Sequence, residues 1–143
     1  MNELTSAINQ HLATEFQAGP TDLALSIWLR EKDLAGFSAY MPAKSQEERD
    51  HAARMIACLA DSGEQVELPT IEAPERSWPS VQTLFDQVYD KGKGFTASIN
   101  HLYAIAETVG ERSATARLLL DQPFLEGTAL THVKGGLSGA RAA

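Results

Sequence analysis

The stretch that most restricts the fold lies in the middle of the chain. From Glu64 to Arg76 there is no helical period, and Pro69 and Pro74 interrupt the run, so it reads as an extended connection. Segments with helical spacing stand on both sides. A short loop joins neighbouring helices antiparallel, whereas a connection this long can run the length of a bundle. The pattern predicts an all-α four-helix bundle with one long crossover between the second and third helices.

The first helix is expected from about Glu3 to Arg30, its stripe stepping through Leu4, Ile8, Leu12, Phe16, Leu23 and Ile27. Gly19-Pro20 falls inside it. A proline there removes a backbone donor and crowds the preceding turn, so a kink or local break is expected. Asp33-Leu34-Ala35-Gly36 makes the turn out. A second helix is expected from Phe37 to Asp61, with Phe37, Tyr40, Met41, Met55, Cys58 and Leu59 on one side and Ser62-Gly63 as its stop. The third opens near Ser77 as N-cap with Pro79 in its first turn. Val81, Leu84, Val88, Phe95, Ile99, Leu102 and Ala106 form its stripe. A weaker fourth helix covers roughly 112–133 and contains Pro123. The bundle is assigned to residues 1–134, and the glycine-rich 135–143 to a flexible C-terminal tail.

With 143 residues the chain suffices for one domain around a single core. Its 12 Lys plus Arg against 19 Asp plus Glu leave a net charge of -7, which argues against nucleic acid and anionic membranes as partners. No apolar run approaches the roughly 18 residues of a membrane span. Met1 to Thr5 is neither basic nor apolar, unlike a secretory signal. The single Cys58 cannot make an internal disulfide and reads as a small core residue, as expected of a cytoplasmic protein.

Chemistry is sought where polar residues occupy apolar positions. The second helix's stripe steps through Phe37, Met41, Lys44, Glu48, His51, Met55 and Cys58. Glu48 and His51, three apart, project from one face. Glu15 lies beside Leu12 and Phe16, close to the stripe of the first helix. A carboxylate or imidazole inside a bundle is costly unless paired or metal-bound. Facing helices that converge such groups offer oxygen and nitrogen donors to iron, and zinc would accept the same set. Against this, a Glu-x-x-His pair alone is a weak signal. Glu47-Glu48-Arg49-Asp50 is also a charge run of the kind that usually faces solvent. His11 and His101 read as surface residues, and His11, His101 and His132 show no tight spacing with a second ligand.

Several stretches resemble bacterial non-haem ferritin. They are Leu34-Ala35-Gly36-Phe37 followed by Glu47-Glu48-Arg49-Asp50-His51-Ala52; Val66 to Pro74; and Ser98-Ile99-Asn100-His101-Leu102 continuing to Ala106-Glu107. The resemblance spans about Ile8 to Glu126. It implies a ferritin-like bundle that oxidises Fe(II) at a di-iron centre and stores ferric mineral in a hollow twenty-four-subunit cage. It puts Glu15 at the first-helix iron ligand, Glu48 at the carboxylate bridging both irons and His51 at the imidazole of the first iron. Glu47 and Glu126 match outer carboxylates that hold a third iron in some members.

The departures from the family carry equal weight. The third-helix ligand of the second iron is replaced by Gly92, beside Lys91; the fourth-helix glutamine by Thr128; and a first-helix tyrosine by Asp22. Gly19-Pro20, one turn past Glu15, is placed to displace it, and the fourth helix reads as short, with no fifth. A two-metal reaction shares its oxygens between both ions, so losing one position removes the geometry. The sequence therefore points to an iron-binding and iron-storage subunit with reduced affinity at the second position and weak or lost ferroxidase activity. It would act as a homo-oligomer or in a mixed cage with another ferritin. The alternative is a non-catalytic structural protein that co-assembles with an active ferritin. A rubrerythrin-type enzyme would need a second Glu-x-x-His, which Glu126-Gly127-Thr128-Ala129 does not supply.

Overall fold

The computed structural model describes residues 2–34, 36 and 40–121, without the side chains of 40–45. Among the described residues there are four α-helices: α1 Glu3–Glu31, α2 Tyr40–Asp61, α3 Val81–Val109 and, after a 3-10 turn at Gly110–Arg112, α4 Ala114–Leu120. No strand occurs among the described residues. The remainder of the expected fourth helix and the tail, with Pro123, Glu126, Thr128 and His132, lie outside them.

Local chemistry sets the boundaries. The Asn2 side chain caps α1 by accepting from the Thr5 N–H at 2.8 Å. Gly63 leaves α2 with φ of 76°, a left-handed turn that suits glycine. The start of α3 differs from expectation. Its cap is Ser80, which accepts from the Thr83 N–H at 3.0 Å. Pro79 thus precedes the helix, and Trp78, as the residue before a proline, is biased to extended backbone. Ser113 caps α4 in the same way, accepting from Ala116 at 3.1 Å.

Pro20 does not break α1, which is continuous from Glu3 to Glu31. The Thr21 hydroxyl donates to the Gln17 carbonyl at 3.0 Å, giving the backbone beside the proline an additional hydrogen bond. The buried face of α1 also differs from the expected stripe. Leu23 is 63% exposed and Ile27 52%, while Leu25, Trp28 and Leu29 are buried. The buried line runs through Leu4, Ile8, His11, Glu15, Asp22, Leu25 and Leu29, a period of 3.5 that keeps one seam toward neighbouring helices.

Helix directions follow from which residues share a core. One cluster joins Leu4, Ile8 and Leu12 of α1 to Ala52, Met55 and Leu59 of α2, Ile99 to Ala106 of α3, and Ala116 and Leu119 of α4. The other joins Leu25, Trp28 and Leu29 of α1 to Trp78 and to Leu84, Phe85 and Val88 of α3. Both α2 and α3 therefore run antiparallel to α1, hence parallel to each other. A connection between parallel neighbours must return along the whole bundle.

The crossover does so beside α1. Asn2 donates to Glu64 at 3.4 Å. The Asn9 amide donates to the Gln65 carbonyl at 3.0 Å and accepts from the Glu67 N–H at 2.8 Å. Gln17 bonds both backbone groups of Glu72 at 2.9 Å. Trp28 then meets Trp78 edge-on, ring centroids 5.6 Å apart. Between Asn2 and Trp28 a helix rises roughly 39 Å. Extended chain from Glu64 to Trp78 spans at most about 46–50 Å, so the two run in register with little slack.

Two outcomes test this packing by urea unfolding of the subunit. Leu25→Ala is expected to cost about 2–5 kcal/mol and Leu23→Lys no more than about 0.5 kcal/mol; equal costs would refute the register. Asn9→Ala is expected to cost about 1–3 kcal/mol, because it strips partners from backbone groups of the crossover. It should also speed hydrogen exchange at the Glu67 amide, whereas unchanged protection there would mean the clamp is not formed.

Candidate metal centre

Between the two apolar clusters lies a polar zone. Along α1 the last residue of one cluster is Leu12 and the first of the other is Leu25, a gap of roughly 20 Å along the helix. Glu15 is 3% exposed and Asp22 4% within it. Glu48, on α2, is 5% exposed, and His51 is partly buried one turn later on the same face. Gly92 is buried on α3, between Val88 and Phe95 on the stripe, where it adds no side chain. The helical period thus brings Glu15, Glu48 and His51 to the bundle interior, and Glu15 is buried with Pro20 inside the same continuous helix.

The geometry centres on one oxygen. Glu15 Oε1 lies 3.0 Å from His11 Nε2 and 3.7 Å from His51 Nδ1. The other nitrogen of His11 lies 2.7 Å from Ser98 Oγ of α3. Phe95 packs edge-on against His11 with centroids 4.9 Å apart and lies 6.5 Å from the His51 ring. An α3 aromatic therefore walls both imidazoles.

His11 corrects the sequence reading, which put it on the surface: it is 1% exposed. Its signal was present, since it stands four residues before Glu15 and on the 3.5-residue seam. His101 is exposed as expected. Glu47 is half-buried, and its charge acts on His51. Cys58 is buried, and burial, then Asp61, pushes its thiol up.

Burial, with the charge of His51 next, pushes the His11 imidazole down to about 4. This favours the neutral form near pH 7, in which Nε2–H donates to Glu15. Burial also lowers His51; among the nearby charges Glu47 opposes this most, Arg54 adds to it, and Glu48 and Asp50 oppose it. Neutral imidazoles beside carboxylates are the donor chemistry that a divalent ion takes. Among the described residues, however, no three His, Cys, Asp or Glu side chains are gathered as they stand closely enough to hold an ion. Gly92 contributes no donor side chain on α3. Among the described residues no helix is long and apolar enough to cross a membrane.

Comparison with known proteins agrees with this architecture. The Ferritin family model, a ferritin-like domain, matches residues 5–126. A bacterial non-haem ferritin from Campylobacter jejuni is 32% identical over 100 residues, which cover 70% of this chain and 60% of the relative. One from Escherichia coli O157:H7 is 26% identical over 106 residues, covering 74% and 64%. The chain thus spans less than two thirds of the length of these relatives. An open-pore ferritin from Archaeoglobus fulgidus superposes with a TM-score of 0.85 at 23% identity, covering 99% of this chain and 87% of the other. An engineered closed form of the Archaeoglobus ferritin gives 0.78 at 24%, covering 99% and 84%. Fold, polar interior and sequence together make this chain a member of the ferritin family.

Proposed function

We propose that the protein is an iron-binding and iron-storage subunit that takes up one metal ion per chain and oxidises Fe(II) weakly or not at all. The observation that carries the reading is the burial of Glu15 and Glu48 at core positions, with His51 Nδ1 3.7 Å from the Glu15 carboxylate. A buried carboxylate loses its hydration, and a divalent cation is a partner that two of them and an imidazole can share. Iron is the cargo, and Glu15, Glu48 and His51 are its proposed ligands. Glu47 is an outer acidic group that favours cation approach, and Glu126 is a second outer candidate. Weak oxidation follows from Gly92, because a two-metal reaction needs both ions to hold the reacting oxygens.

Assembly into a cage and residence in the cytoplasm belong to the same reading. They are supported by family membership, by similarity to a protein described as an open-pore ferritin and by the net charge of -7. Gly92 also favours a second reading, a structural subunit that mixes with an active ferritin.

Loading the purified protein with Fe(II) in air and following protein and iron together by gel filtration tests the first reading. Iron is expected to elute with a large assembly. Iron that precipitates while protein elutes as monomer or dimer would reject storage by this chain alone and favour the mixed assembly. Gly92→Glu is expected to raise the initial rate of Fe(II) oxidation ~10-fold or more, given that even changes outside the ligand shell move metal-site activity 10–100-fold. An unchanged rate in a folded variant would mean that Glu15, Glu48 and His51 are not poised for catalysis.

A further inference from the structure

We propose that Ser98, His11 and Glu15 form a positioning relay: Ser98 fixes the His11 tautomer, and His11 orients the Glu15 carboxylate for a single divalent cation. The inference rests on the metal-site reading above and extends it to two residues outside the Glu15, Glu48 and His51 set.

The logic is donor and acceptor accounting. A neutral imidazole carries one N–H donor and one acceptor nitrogen, and both His11 nitrogens are engaged, at 2.7 Å and 3.0 Å. A carboxylate oxygen only accepts, so Nε2 carries the hydrogen and donates to Glu15 Oε1. Nδ1 is then the acceptor, and the Ser98 hydroxyl is the donor. The hydrogens follow from the bonding network. Edge-on packing by Phe95 restricts the ring further. Two helices, α1 and α3, thus hold one imidazole in one orientation.

The bond to His11 does not consume Glu15. An ionised carboxylate has two oxygens and about four acceptor positions, so one hydrogen bond from His11 does not by itself bar a cation. Hydrogen bonds to ligating groups fix them before the metal arrives, and their loss costs ~10–100-fold in metal affinity. His11 therefore acts through Glu15 and is a positioning residue.

Zinc is the probe, because it accepts the same donors without redox chemistry. Nitrogen-15 NMR of the wild-type imidazoles, zinc-free and with one equivalent of zinc, should show His11 as the Nε2–H tautomer in both states. A bare Nε2 in the zinc-free protein, or loss of its proton when zinc binds, overturns the relay; the latter would make His11 a direct ligand. In zinc titrations His11→Ala is expected to bind ~10–100-fold more weakly. His11→Gln, whose amide N–H can replace Nε2–H, should recover part of the loss, and Ser98→Ala should show a smaller loss. Wild-type affinity in folded His11→Ala overturns this inference alone. Absence of zinc binding by the wild type overturns the metal-site reading and the relay with it. If circular dichroism shows His11→Ala unfolded, the wild-type NMR spectra decide.

Discussion

Holding Glu15 and Glu48 inside a helical bundle is the constraint around which the rest of the structure is arranged. Each carboxylate sits where an apolar side chain would contribute favourable burial, and each loses hydration in return. The molecule answers by dividing its core. One apolar cluster spans the half that contains Leu12, Met55 and Leu102; the other spans the half with Leu25, Trp28 and Phe85. The interval between them holds the polar side chains, with imidazoles as donors beside it and Phe95 as their wall. A single continuous core would have stabilised the fold more, so the interval has the character of a site retained at a cost in stability.

That division depends on the crossover. Parallel α2 and α3 both run antiparallel to α1, and parallel neighbours require a connection as long as the bundle. Amide side chains of α1 clamp it at Asn9 and Gln17, which gives its backbone groups partners that no sheet or helix provides. The same helix therefore carries Glu15 and His11 on one face and the crossover on another. The register of α1 sets both.

The architecture was legible because long-range pattern carries it. A proline-bearing connection between two pairs of helical segments leaves few arrangements, and the expected stripe of α3 holds at Leu84, Val88, Ile99, Leu102 and Ala106, which are buried, while Val81 and Phe95 are partly buried. The end of α2 at Ser62-Gly63 was equally plain from glycine chemistry. What failed was phase and compensation. Steps of four from Leu4 through Phe16 drift around a helix, so Leu23 and Ile27 were put inside although a 3.5-residue seam leads to Leu25 and Leu29. Pro20 looks disruptive in isolation, and the Thr21 hydroxyl that supports the backbone beside it is visible only in three dimensions. Glu15, Glu48 and His51 were recoverable as polar residues on apolar positions. His11 was lost with the register, and Ser98 was known only as part of a resemblance, since nothing local pairs it with a residue on α1.

His11 also bears on how a site with Gly92 persists. In a two-cation centre, metal charge compensates the buried carboxylates, and each lost ligand leaves its neighbours harder to accommodate. Here the third-helix carboxylate is absent, which lowers the negative charge to be buried. A neutral imidazole on Glu15 replaces part of what a cation would supply. The pairing needs no metal, so part of the cost of burying Glu15 is met before any ion binds. On the proposed function, a cation has to bring Glu48 and His51 to a carboxylate that His11 already holds. Among the described residues three donors are not yet gathered around one point, so that recruitment needs side-chain movement.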